Sequence, residues 1–193
     1  MTDEGNARTE VSAYEAANGR TPALQTPLRQ LYDEHAPLRQ EMDAIFELAH
    51  GIEDAPLRQA TARLAELAER VERFDANLHR HSSKEEDLLF PMMARYIGRD
   101  SGPIAVMEYE HDQAKQCLRL FKERREDGSQ LTDPSTIAEM GRLASDAVVI
   151  LMDHFCKEEH ALFPMANTML SRQELDWLEK EFERIDEQGG ERA

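Results

Sequence analysis

From residue 26 onward, apolar positions return every three to four residues, and no alternating, strand-like pattern competes with that period. Leu28, Leu31, His35, Leu38, Met42, Ile45 and Phe46 share one stripe. They predict a helix over residues 26–49, with Pro27 in its first turn and Gly51 after its end. A second stripe runs through Leu57, Leu64, Leu67, Val71, Phe74, Leu78, His81, Leu88 and Leu89, predicting a helix over 56–97 stopped by Gly98. Pro91 should kink or break its last turns. The third helix is expected over 103–127, closed by Gly128. The fourth is expected over 134–170, with Asp133 as N-cap and a second proline interruption at Pro164. A short fifth helix follows Ser171, whose spacing from Glu174 is that of a capping box. Leu175, Trp177, Leu178 and Phe182 give it a face to bury.

Residues 1–25 are polar, carry Gly5, Gly19 and Pro22, and hold no sustained period, so they read as a disordered, flexible tail. The terminal GGERA is expected to fray. The joints between the long helices are only a few residues each, which makes consecutive helices antiparallel neighbours. The expected fold is all-α: an up-down-up-down four-helix bundle over 26–170, then a C-terminal helix and tail over 171–193.

Composition narrows the function classes. The 193 residues suffice for one domain with a real core. The net charge of −16 argues against nucleic acid and against an anionic membrane surface as partners. No apolar run approaches the roughly 18 residues of a membrane span. The first ten residues lack the shape of a signal peptide, and two cysteines cannot form a disulfide framework. The expectation is a soluble protein of a reducing compartment, the cytoplasm.

The chemistry lies in an internal repeat. The frame HxxKEExxLFPM starts at His81 and again at His154, an offset of 73 residues. A fainter pair precedes each copy: Glu34 and His35 before the first, Glu110 and His111 before the second. Two halves of a bundle related by an approximate two-fold follow from such an echo. In a helix, four residues advance the chain by about 400°, which sets His81 and Glu85, or His154 and Glu158, on one side and about 6 Å apart along the axis. A single such pair is ordinarily a solvated surface pair. Here the histidines coincide with the apolar stripes in both copies, where unpaired imidazoles and carboxylates would carry a heavy desolvation penalty. A cation offsets it. The candidate metal ligands are therefore His35, His81, Glu85, His111, His154 and Glu158. Imidazole with carboxylate suits Fe, Mn and Zn. Two ions sharing both carboxylates would stand about 3.5–4 Å apart.

The remaining histidines fall off this face. His79 and His160 are expected in solvent, and His50 at the helix end beside Gly51, where a cation favours the dipole. Glu86 and Glu159, one position further on, are weaker carboxylate candidates. With Glu34 and Glu110, they could instead orient the imidazoles.

This set, with a LeuPhePro after each HxxxEE, resembles the hemerythrin-like, HHE cation-binding domain family over residues 26–170. The resemblance implies a non-haem di-iron site in a four-helix bundle, and family roles in oxygen carriage, in O2, NO or redox sensing, or in repair of iron–sulfur clusters. The oxygen carriers place a second histidine four residues after the third-helix histidine, where this chain has Lys115. They also end on HxxxxD, where this chain has HxxxE. The set is closer to the bacterial iron-centre repair proteins, whose third-helix motif resembles the segment from Met107 to Asp112. Those proteins often carry a cysteine-containing N-terminal extension; residues 1–25 hold no cysteine. A ferritin-like reading needs ExxH on two helices, and only Glu108 with His111 fits.

Six protein ligands for two ions leave open positions, which on Fe(II) admit O2, NO or peroxide. Lys115 reads as a snorkelling lysine or a cap beside such a position. Tyr32 reads as core or as a hydrogen-bond donor to a ligand. Cys117 and Cys156 read as core thiols. Three functions fit: a binding module for O2, NO or iron; an enzyme reducing NO or peroxide; and a structural zinc bundle.

Overall fold

The computed structural model describes residues 23–128 and 132–190, and among these it contains helices and connections without a strand. Helix α1 spans Thr26–Glu53 and α2 spans Leu57–Lys84. A π-helical turn, Glu85–Leu89, leads directly into α3, Phe90–Ile97. Helix α4 spans Pro103–Asp127 and α5 spans Pro134–Lys157. A second π turn, Glu158–Leu162, leads into α6, Phe163–Met169, and α7 spans Arg172–Gly190. Of the expected tail over residues 1–25, residues 1–22 lie outside the described residues, as do the end of GGERA at 191–193 and part of the joint at 129–131.

Most boundaries follow the chemistry of their ends. The Asp133 side chain accepts from the Thr136 amide at 2.9 Å, and Gly128 closes α4 with a φ of +61°. Glu174 accepts from the Ser171 amide at 2.9 Å while the Ser171 hydroxyl accepts from the Glu174 amide at 3.4 Å, completing the capping box. One boundary differs: α1 does not stop before Gly51 but continues to Glu53. The extra turn buries Ile52 against Gly141, where a Cβ would approach the Ala49 carbonyl to 3.3 Å. Packing overrides the local preference of a lone glycine.

The prolines, expected to kink or break the last turns, interrupt the α-helical pattern through a π turn in each half. A proline removes one amide donor and its ring clashes with the carbonyl four residues back. Both π turns end two residues before their proline, with the Phe90 amide donating to Glu85 and the Phe163 amide to Glu158. The widened turn accommodates the ring inside a continuing helix. It also brings Leu89 rather than Leu88 fully inside.

The four long segments form the bundle, with α1 packed on α2 and α5, and α4 on α5. Its core is divided in two. One apolar cluster includes Leu38, Met42, Phe74, Leu118, Phe121 and Val148. The other includes Leu28, Leu31, Leu89, Ile104, Met107 and Phe163, and is completed by Leu175, Leu178 and Phe182 of α7. Trp177 and Phe46, expected inward, are exposed. Helix α7 is a 19-residue element packed on α1 and α2. Between the two clusters lies a layer of buried histidine and glutamate.

Candidate metal centre

Each half of the repeat delivers three residues to that layer. His35 comes from the middle of α1 and His111 from α4; His81 and His154 come from the last turns of α2 and α5. Glu85 and Glu158 are the first residues of the two π turns. All six predicted ligands are buried, Glu85 and Glu158 with no exposure at all.

Their mutual arrangement is regular. Glu158 Oε2 lies 3.2 Å from His35 Nε2, and its Oε1 lies 3.2 Å from His154 Nε2. Glu85 Oε1 lies 3.4 Å from His81 Nε2, and its Oε2 lies 3.6 Å from His111 Nε2. Each carboxylate thus turns one oxygen to each of two donor sets. His35, His81, Glu85 and Glu158 form the first set, and Glu85, His111, His154 and Glu158 the second, with the ligand atoms of each set within 4.8 Å of one another.

None of these four Nε2 atoms and four carboxylate oxygens has a hydrogen-bond partner, although all are buried. Unsatisfied buried polar atoms normally weigh heavily against a fold. Two donors held about 2.0–2.2 Å from one ion, at angles of 90–110°, are roughly 3.0–3.6 Å apart. The four imidazole–carboxylate separations fall in that range, so the donor set fits cations where it does not fit a hydrogen-bonded network.

The other ring nitrogens each face a carboxylate. His35 Nδ1 lies 2.7 Å from Glu159, His81 Nδ1 2.9 Å from Glu34, His111 Nδ1 2.5 Å from Glu86 and His154 Nδ1 3.2 Å from Glu110. Burial works against ionisation of Glu34, but the His81 and Lys84 hydrogen bonds outweigh it and bring its pKa down to about 2. Glu86 is likewise brought to about 2, against burial, by His111 and Lys115. An ionised carboxylate only accepts, so Nδ1–H donates, and on a neutral ring this leaves the Nε2 lone pair facing inward.

A cation backs every one of these carboxylates. Arg39 reaches Glu159 at 2.5 Å and Lys84 reaches Glu34 at 2.5 Å, while Lys115 pairs with Glu86 and Lys157 with Glu110. Lys115 therefore grips Glu86, corresponding neither to a free surface lysine nor to a cap on the centre. Arg39, Lys84 and Lys157 escaped the sequence reading. The lysine inside HxxKEE was the available signal for two of them.

Electrostatics without a cation show how tense the centre is. Burial and the neighbouring Glu158 push Glu85 well above the usual carboxylate range. Glu158 is held well below it, against burial, by the His154 and His35 imidazoles. Burial lowers His81 and His111. Aromatic rings seal the first set: Phe155 stacks on His35 with centroids 4.0 Å apart, and Phe163 lies 5.6 Å from the same ring.

Other candidates do not reach the centre. His79 and His160 are exposed, as expected, and His50 is exposed as well. Tyr32 is exposed, with Arg29 over its ring, and is neither core nor a donor to the centre. Cys117 is half-buried, but Cys156 is exposed and so is not a core thiol. It sits on the outer face of α5, with its Sγ 3.6 Å from His160 Nδ1.

Among the described residues, no helix is long and apolar enough to cross a membrane. Residues 26–166 match the hemerythrin HHE cation-binding domain. Similar proteins include the iron-sulfur cluster repair protein YtfE of Musicola paradisiaca (strain Ech703), 38% identical over 95 residues, covering 47% of this chain and 41% of that protein. YtfE of Escherichia coli O157:H7 is 37% identical over 94 residues, covering 46% and 41%. YtfE of Enterobacter sp. (strain 638) is 34% identical over 102 residues, covering 52% and 46%. The chain thus spans less than half the length of these curated relatives. No solved structure matches. The matched region contains all six buried donors, which supports a metal cofactor, and by that match the chain belongs to the hemerythrin HHE cation-binding domain family.

Proposed function

We propose that the chain is a non-haem di-iron protein of the cytoplasm that binds or senses O2 or NO, or handles iron, with residues 26–170 as the metal-binding domain. One ion would be held by His35 and His81 and the other by His111 and His154, with Glu85 and Glu158 each offering an oxygen to both. The observation that carries this reading is the set of eight buried donor atoms without hydrogen-bond partners. Iron rather than zinc or manganese rests on the family and on the names of the relatives. When bound, iron supplies a redox-active centre with positions open to a small ligand. The chain's own contribution is to aim four imidazoles inward, to present two carboxylates in a water-poor layer, and to close that layer with Phe155 and Phe163.

A second reading is repair of iron–sulfur clusters, favoured by the relatives' names. It would use the same centre as a source of iron rather than as a receptor. Enzymatic reduction of NO or peroxide draws no support from Lys115, which is engaged by Glu86, or from Tyr32, which is exposed.

Anaerobic loading with Fe(II), followed by metal counting and then by O2 or NO, tests these readings. Two irons per chain and a new absorption band are expected. Less than about one iron per chain, or a silent spectrum with zinc bound, would overturn the di-iron reading.

A further inference from the structure

The two halves of the repeat treat their lysines differently. Lys84 and Lys157 occupy the same place in HxxKEE, and each pairs with the glutamate that orients the histidine three residues before it. In the second half, Lys157 has a further acid on its own helix, Asp153, one turn back. The equivalent position in the first half is Arg80, which cannot serve. There the further acid is Asp186 of α7, whose Oδ1 lies 2.7 Å from Lys84 Nζ.

That substitution changes the surroundings of the pair. Lys157 remains about one-third exposed, whereas Lys84 is 1% exposed, with its ammonium 5.9 Å from the Phe182 ring centroid. The contact closes a ring of hydrogen bonds. Gln30 Nε2 donates to Asp186 Oδ2 at 2.9 Å and to Glu34 Oε1 at 3.1 Å. Lys84 donates to the same Glu34 oxygen, and the other Glu34 oxygen faces His81 Nδ1. A buried ammonium with one carboxylate removed is left poorly compensated. Lys84 would then turn toward solvent and release Glu34, and His81 would lose the group that aims it.

We infer that α7 is a latch on one metal position: Asp186, acting through Lys84 and Glu34, is a positioning residue for the ion held by His35 and His81. Among the described residues the ion held by His111 and His154 has no such connection to α7, because the further acid on Lys157 is Asp153 of its own helix. The two positions therefore differ in how tightly they keep their metal, and coupling of this kind is reciprocal, so metal at the first position also holds α7 down. This inference rests on the reading that the six donors hold two ions.

The test compares Fe(II) loss to a chelator from the wild-type chain and from Asp186→Ala, Asp186→Glu and Asp153→Ala. Wild type should release its two ions in two phases. Asp186→Ala should quicken the slower phase by roughly tenfold or more and leave the faster one unchanged, in line with the loss produced when a histidine's orienting partner is removed. Asp186→Glu should restore most of the slow phase. Asp153→Ala, on the more exposed lysine, should leave that phase as in wild type. Amide hydrogen exchange in α7 should quicken on metal removal in wild type, and be already quick in loaded Asp186→Ala. Unchanged release in Asp186→Ala from a chain that loads two ions overturns the latch alone, as does equal acceleration of both phases. A wild-type chain that loads less than one ion removes the metal reading, and this inference with it.

Discussion

His35 Nδ1 stands 2.7 Å from Glu159 Oε1, and the two residues come from opposite halves of the repeat. The mirror contact, His111 to Glu86, crosses between the halves as well, at 2.5 Å. The glutamates one residue after Glu85 and Glu158 thus each serve the histidine on the first helix of the opposite half. Both acids of each KEE segment are used: the first turns inward to the centre, and the second supports an imidazole. Removing the second by Glu159→Gln should leave the fold intact and reduce metal affinity about 10–100-fold. Titration with Fe(II) or Co(II), alongside far-ultraviolet circular dichroism, checks both halves of that statement. Unchanged affinity would reduce Glu159 to a surface contact.

A coarser test concerns the choice of helix face. Glu85→Ala and Glu158→Ala should each lose bound metal, because each takes one oxygen from both donor sets. His79→Ala and His160→Ala, which are exposed, should keep wild-type metal content. Metal analysis after gel filtration reads the difference directly. Similar losses in all four would mean that metal binds elsewhere.

The ease of reading these residues from sequence differed for physical reasons. Helical period and a repeated frame place His81 with Glu85 and His154 with Glu158, because i, i+4 geometry is local. His35 and His111 were reachable through the same apolar stripes. The π turns were not, since they arise from fitting Pro91 and Pro164 into helices that packing keeps continuous. Lys84 reads as a surface lysine in any local window, and becomes buried only when α7 folds over it. Cys156 and Tyr32 show the opposite error: apolar character alone does not say which side of a stripe a residue takes.

Acid should weaken the support of the imidazoles only below the range in which ordinary surface acids take up their protons. Glu34 and Glu86 have folded pKa values of about 2, below their ordinary 4.5. Groups depressed in this way contribute stability that is fully present above about pH 4.5 and is lost as pH falls toward 2. In the metal-free protein, Glu34→Gln and Glu86→Gln should therefore be less stable than wild type at pH 6. The deficit should shrink as pH approaches 2. Denaturant midpoints measured across that range in the presence of a chelator provide the check, and a deficit independent of pH would show that charge at these positions is immaterial.

Glu85 should show the reverse sign. Burial, with Glu158 beside it, raises its folded pKa well above 4.5. Such a group favours folding while it is protonated, and that contribution is lost as pH rises from its unfolded value through its folded one. At neutral pH the metal-free chain therefore holds a carboxyl whose ionisation works against the fold. Glu85→Gln keeps the shape and removes the ionisation. Without metal, the variant should be more stable than wild type at pH 8, by an amount that diminishes as pH is lowered toward 4.5. With Fe(II) the order should reverse, because binding to the folded state stabilises wild type by mass action and the variant lacks one bridging carboxylate. Thermal unfolding of both proteins, with chelator and with Fe(II), at pH 5 and pH 8, contains the whole comparison. A variant less stable than wild type in chelator at pH 8 would mean that Glu85 supports the fold by itself, and that the strain is not held in reserve for the metal.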